Sequence, residues 1–264
     1  MIKLIPLGVW GGYPKANSGT SSFLLKLDDF SCLIDCGSGV LSSLQNYLPL
    51  EQLDAVMISH YHFDHIADIG CLQYAMLVQS QLGNRKKELP IFGHAKDEEA
   101  FSKLSFMNYT RGIPIEETKT LILGPWKVTF CPTIHPAHCL AMKFEHGDVS
   151  IVFTADTEWC EDLVSFAKGA TILVSEANLY DRHIGKVKGH MSGRQAGELA
   201  QKAGVDQLIL THLPHHGNLE DILSEAKQAF LGNVEIAQVG KAYEVVVDER
   251  EVTNWELNLK ESAY

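Results

Sequence analysis

The segment Ile58-Ser59-His60-Tyr61-His62-Phe63-Asp64-His65-Ile66 puts three imidazoles and a carboxylate within six positions, between a strand-like run and a helix-like one. One buried histidine is commonly a satisfied core residue, but this density asks for a metal. On extended backbone, residues two apart point the same way, so His60 and His62 can share one ion. Asp64 and His65, where the chain turns into a helix, point elsewhere and can serve a second.

A chain of 264 residues with 45% hydrophobic and 21% charged content is an ordinary globular sequence, long enough for a sizeable core. No run approaches the ~18 apolar residues of a membrane span, and the short apolar start breaks at glycines and Pro14. The expectation is a cytoplasmic protein with no membrane anchor. Six scattered cysteines without a C-x-x-C pair read as reduced thiols. A net charge of −11 repels polyanions, which disfavours long nucleic acid. Arg182, Lys186, Lys188 and Arg194 form one local basic stretch, either a solvated loop or an anion-attracting rim.

Short aliphatic and β-branched runs, such as 32–34, 55–58, 150–153, 171–174 and 207–210, suit strands buried on both faces. Helical stretches are expected near 39–47, 64–82, 96–106, 160–168, 192–203 and 219–229, with Gly83, Gly169 and Gly204 as stop signals. Residues 83–90 read as an exposed turn. This alternation argues for an α/β fold. The chemically active residues follow strand-like runs: Asp35, the histidine cluster, Asp156, Glu176 and His212. Sites collect at strand ends.

The H-x-H-x-D-H pattern at a strand end resembles the signature of the metallo-β-lactamase superfamily, and the likeness runs over nearly the whole chain. The resemblance implies a four-layer αββα sandwich, with residues 1–264 as one domain. It implies that His135 joins His60 and His62 at the first ion. His138 competes for that role and is otherwise expected to line the pocket. It further implies that Asp156 bridges two ions and that His212 completes the second with Asp64 and His65. His215 and His216 fall in the pocket or on the surface, and Asp35 supports the ligands by hydrogen bonds. Imidazole and carboxylate donors without thiolate make zinc the default among the two divalent ions, with manganese and iron as alternatives.

Two ions sharing a water would lower its pKa from about 15.7 toward ~7, so the implied nucleophile is a bridging hydroxide. Asp64 would orient it and take up its proton. Glu176 after a strand and His190 before a helix resemble the glutamate–histidine pair of the ribonuclease Z branch and its small phosphodiesterase relatives. In that branch the histidine faces the scissile phosphate. The same metal core elsewhere cleaves thioesters, lactones and other carboxyl esters, and a non-catalytic metal-binding protein is the third reading.

One departure narrows the substrate. The transfer-RNA-processing enzymes of that branch carry a long arm between the third histidine and the bridging aspartate, yet His135 and Asp156 are only 21 positions apart. The resemblance therefore points to a small or cyclic phosphodiester, not transfer RNA, and to a homodimer. Trp10 and Tyr13 in the glycine-rich opening loop either border that substrate or form a plain turn.

Overall fold

The computed structural model describes residues 1–248; the end of the expected domain, 249–264, lies outside the described residues. The first sheet is built from β1 (Ile2–Trp10), β2 (Gly19–Thr20), β3 (Ser22–Leu27), β4 (Phe30–Ile34), β5 (Ala55–Met57), β6 (Leu89–His94) and β7 (Thr110–Ile115). The second contains β8 (Leu121–Leu123), β9 (Trp126–Pro132), β10 (Leu140–His146), β11 (Val149–Phe153), β12 (Ile172–Glu176), β13 (Gln207–Thr211) and β14 (Asn233–Ile236). A last strand, β15 (Tyr243–Val245), returns to pair antiparallel with β1. The strand orders are β15-β1-β3-β4-β5-β6-β7, with β2 beside β1, and β14-β13-β12-β11-β10-β9-β8.

Apolar strands fit this architecture because each sheet is covered on both faces. Along β4, Cys32 and Ile34 enter the core between the sheets while Leu33 faces the helices outside. Along β12, Ile172 and Val174 point inward and Leu173 outward. The helices α1 (Val40–Leu44), α2 (Phe63–Ile66), α3 (Ile69–Gln81) and α4 (Glu98–Ser102) belong to the first sheet's half. The second sheet is covered by α5 (Glu161–Phe166), α6 (Gly193–Ala203) and α7 (Leu219–Ala229). The result is the metallo-β-lactamase fold, two sheets packed between helices.

Three differences from the sequence expectation have local causes. The helix expected over 64–82 breaks at Asp68, whose amide donates to Cys36 O and whose Oδ2 accepts from Leu41 N. Residues 83–90 are not wholly a turn: β6 starts at Leu89, and half-buried Arg85 donates to the carbonyls of Glu51 and Leu53. Arg194 is not free for substrate, because it pairs with Asp181 and donates to Gln228. The glycine stops hold: Gly83, Gly169 and Gly204 all adopt positive φ, a region that penalises other residues. No helix among the described residues is long and apolar enough to cross a membrane.

Candidate metal centre

Parallel strands present their carboxyl ends to one edge of the sandwich, and the titratable residues gather there. Parallel pairing of β4 with β5 brings Asp35 beside the segment leading to His60, and pairing of β12 with β13 sets Glu176 opposite Thr211, one residue before His212. Asp35, Ala155 and His212 adopt left-handed φ values of 56°, 51° and 52°. Such backbone costs about 1–3 kcal/mol at each non-glycine residue and persists where surrounding contacts enforce it.

His60, His62, His135 and Asp156 form one donor group, and Asp64, His65 and His212 form another. His62 Nδ1 lies 3.0 Å from His60 Nε2 and 3.1 Å from His135 Nε2. These spacings approach the ~3.3 Å edge expected of a tetrahedron with Zn–N bonds of about 2.05 Å. Asp156 Oδ2 stands between the groups, 3.3 Å from His212 Nε2 and 3.7 Å from His60 Nε2, while Oδ1 lies 3.4 Å from His65 Nε2. Burial opposes ionisation of Asp156, yet the imidazoles of His212, His65 and His60 hold its carboxyl well below the usual range. His65 Nε2 is buried without a hydrogen-bond partner, an expensive state for a ring nitrogen unless a cation takes its lone pair.

Behind the donors, Asp35 serves both groups. Its Oδ2 accepts from His65 Nδ1 at 2.7 Å and from Ser59 Oγ at 2.9 Å, and Ser59 Oγ lies 3.1 Å from His60 Nδ1. His135 Nδ1 donates to Gly189 O at 2.9 Å. These bonds leave the opposite ring nitrogens facing the centre as lone-pair donors. In the opening loop, Gly12 N donates to Asp64 Oδ2 at 2.6 Å, and His212 Nε2 reaches the same oxygen at 3.1 Å.

Glu176 and His190 lie at the edge of this centre. His190 Nδ1 is 3.0 Å from Glu176 Oε1, and the amides of Thr157 and Met191 also donate to that carboxylate. Burial raises the Glu176 pKa, with the His190 charge opposing. Burial also works against the His190 cation, but Glu176 outweighs it and lifts the imidazole to about 9. The His190 ring stacks on His212 at 5.3 Å and meets His135 edge-on at 5.4 Å.

All nine expected site residues therefore converge. His138 does not: it turns from the cleft toward Glu117, with Nε2 3.3 Å from Oε2, and packs on His94. The cleft, about 360 Å³, is lined by Gly12, Tyr13, Asn178, His190, His215 and His216 among others. His215 stacks on Tyr13 at 3.6 Å and on Trp10 at 5.1 Å. Sequence reasoning missed Ser59 and Asn178, whose amide donates to His212 O at 2.9 Å. Both adjoin motif residues, yet nothing in their type distinguishes them from ordinary polar neighbours.

Residues 31–213 match the beta-lactamase superfamily domain. The chain belongs to that superfamily. Within it, the chain is 46% identical over 243 residues to YhfI of Bacillus subtilis, described as a probable metallo-hydrolase, covering 92% of this chain and 100% of that protein. The crystal structure of YhfI superposes with a TM-score of 0.91 at 45% identity, covering 92% of this chain and 99% of the other. Ribonuclease Z of Methanothermobacter thermautotrophicus is 26% identical over 289 residues, covering 87% of this chain and 92% of that one. A diphosphatase of the PhnP family shares the fold, with a TM-score of 0.74 at 17% identity, over 92% of this chain and 97% of its own. Superfamily membership and the two donor groups together point to divalent metal ions as cofactors.

Proposed function

We propose that this protein is a metal-dependent hydrolase of small or cyclic phosphodiesters that works with two divalent ions, zinc by donor chemistry, as a homodimer. The observation that carries the substrate class is the Glu176–His190 pair, fixed by 3.0 Å contact beside both donor groups. Likeness to ribonuclease Z over 87% of the chain supports phosphoryl chemistry.

The donor set fits the ions. His60, His62 and His135 would hold one, Asp64, His65 and His212 the other, with Asp156 between them. Asp156, His190 and His212 form an overlapping group, but against the cost of burial the Glu176 carboxylate lifts the His190 pKa to about 9, so Nε2 keeps its proton at neutral pH and suits an acid's role over a ligand's. When bound, the ions would acidify a shared water and draw charge from the ester oxygens.

The chain's own residues do the rest. Asp64, anchored by the Gly12 amide, orients the attacking water. Glu176 fixes the His190 ring so that Nε2–H can donate to a phosphoryl or leaving oxygen, where charge develops. The floor of the cleft is shared by His62, Asp64, Asp156 and His212, so a bound ester sits over the donors.

Size argues against RNA. The 20 residues between His135 and Asp156 are taken up by a short loop and the hairpin of β10 and β11, with no added arm. A cleft of about 360 Å³ suits a small ester.

The test is a parallel assay of the zinc- and manganese-loaded protein on bis-aryl phosphate diesters, phosphomonoesters, thioesters and lactones. Diester cleavage is expected. Turnover confined to acyl substrates would replace this reading with a carboxyl-ester hydrolase, and metal uptake without any turnover with a binding protein.

A further inference from the structure

Three segments of the cleft wall meet at Glu158. It follows Asp156 by two positions, after β11. Its amide donates to Ile134 O at 2.8 Å, one residue before His135, and its Oε1 accepts from Gly189 N at 2.9 Å, one residue before His190. Thr157 Oγ1 donates to Glu158 O at 2.6 Å, which fixes the backbone from which the carboxylate reaches.

Gly189 is the hinge of this arrangement. It is buried, so its amide needs a partner, and a carboxylate supplies a charge-assisted bond. Its φ is 82°, and a Cβ there would stand 2.7 Å from His135 Nδ1 and 2.5 Å from Pro136 Cδ, closer than side chains pack. That close approach lets Gly189 O accept from His135 Nδ1 at 2.9 Å. Residues 184–188 are all exposed, and the Glu158 bond ties the end of that exposed run to the segment carrying Asp156.

We propose that Glu158 is a positioning residue that, through Gly189, sets the first donor group and the proposed acid in register. The carboxylate fixes Gly189 from its amide side. From the carbonyl side the same glycine orients the His135 ring, and the chain then enters His190. Without the Glu158 bond the amide turns toward water, the Gly189 carbonyl leaves its line to His135, and His190 moves with it. A misplacement of about 1 Å costs on the order of 100-fold in rate, and loss of a partner behind a ligand about 10–100-fold in metal affinity or activity.

This inference rests on the two-ion diesterase reading, but its metal half is read without turnover. Glu158→Ala, loaded with cobalt as a spectroscopic stand-in for zinc, should show altered visible ligand-field bands. In competition with a chelator it should bind the metal about tenfold more weakly. Its kcat on a bis-aryl phosphate should fall at least about tenfold, with KM within about twofold of wild type. Glu158→Gln, whose amide oxygen still accepts from Gly189 N, should stay within about threefold of wild type in affinity and kcat. Gly189→Ala, which crowds His135 without altering Glu158, should reproduce the cobalt change. A glutamate that merely stabilised the loop would lower the unfolding midpoint and leave spectrum and affinity alone. A wild-type spectrum and affinity in Glu158→Ala therefore overturn the inference, as do equal losses in Glu158→Gln and Glu158→Ala, or a wild-type spectrum in Gly189→Ala. A wild type that binds cobalt yet cleaves no diester removes the diesterase reading alone, because spectrum and affinity still judge the Glu158 link.

Discussion

His190 Nδ1 and Glu176 Oε1 meet at 3.0 Å, and the carboxylate is itself fixed by the amides of Thr157 and Met191. The proposed acid is thus oriented by a buried carboxylate whose own partners are backbone amides, beside the donor groups. His190→Ala should lower kcat on a bis-aryl phosphate by about 10²–10⁴ while metal content stays at the wild-type value. Glu176→Gln keeps the shape but loses the charge that favours imidazolium, so kcat should fall at least about tenfold with KM nearly unchanged. Steady-state kinetics beside elemental analysis checks both; an unaltered kcat in His190→Ala removes the residue from the reaction.

Asp156 faces both donor groups, so its removal should be felt by both. Asp156→Ala is expected to drop metal content from about two ions per chain to one or none. Full occupancy by elemental analysis after dialysis would contradict the bridging role.

Asp35 reaches His65 directly and His60 through Ser59. Asp35→Asn should therefore weaken zinc binding at both groups by about 10–100-fold, whereas Ser59→Ala should weaken chiefly the one containing His60. Competition against a calibrated chelator measures this. Equal, two-site losses in Ser59→Ala would show that the relay runs by another route.

His94 is buried between Tyr61 and His138, and neither ring nitrogen has a hydrogen-bond partner. Burial first, and His138 second, lower its pKa from 6.5 to about 4. Its folded value lies below the unfolded one, so below pH 6.5 the unfolded chain binds the proton first. The contribution is complete above pH 6.5, declines as pH falls toward 4, and has gone below that. The window should hold about 1–3 kcal/mol. His94→Gln should lose less stability than wild type between pH 7 and pH 4.5 in denaturant titrations; parallel losses would refute the assignment.

Much of this centre was legible in the sequence because metal ligation is a matter of residue type at fixed local spacing. His60, His62, Asp64 and His65 lie within one turn-forming segment, and Asp156, Glu176 and His212 each end or follow a run whose β-branched composition marks a buried strand. Strands apolar on both faces called for cover on each side and so for an α/β fold, but a single sheet between helices would satisfy them too; the αββα layering came from the resemblance carried by the H-x-H-x-D-H pattern. Tertiary structure decided what long-range contacts decide. The bond from the Asp68 amide to Cys36 O, across the first sheet's loops, split a helix that local periodicity left continuous. Asp181 captured Arg194, and Glu117 with His94 drew His138 out of the cleft, although His135 three positions earlier entered it. Only the parallel register of β12 with β13, and the seating of the opening loop on Asp64, turned separate strand ends into one centre. The cluster at residues 60–65 thus determined by itself that the chain should bind metal. Which nitrogen of each ring faces the centre, and which carboxylate stands between the two donor groups, depended on hydrogen bonds between segments distant in sequence, and those exist only once both sheets are packed.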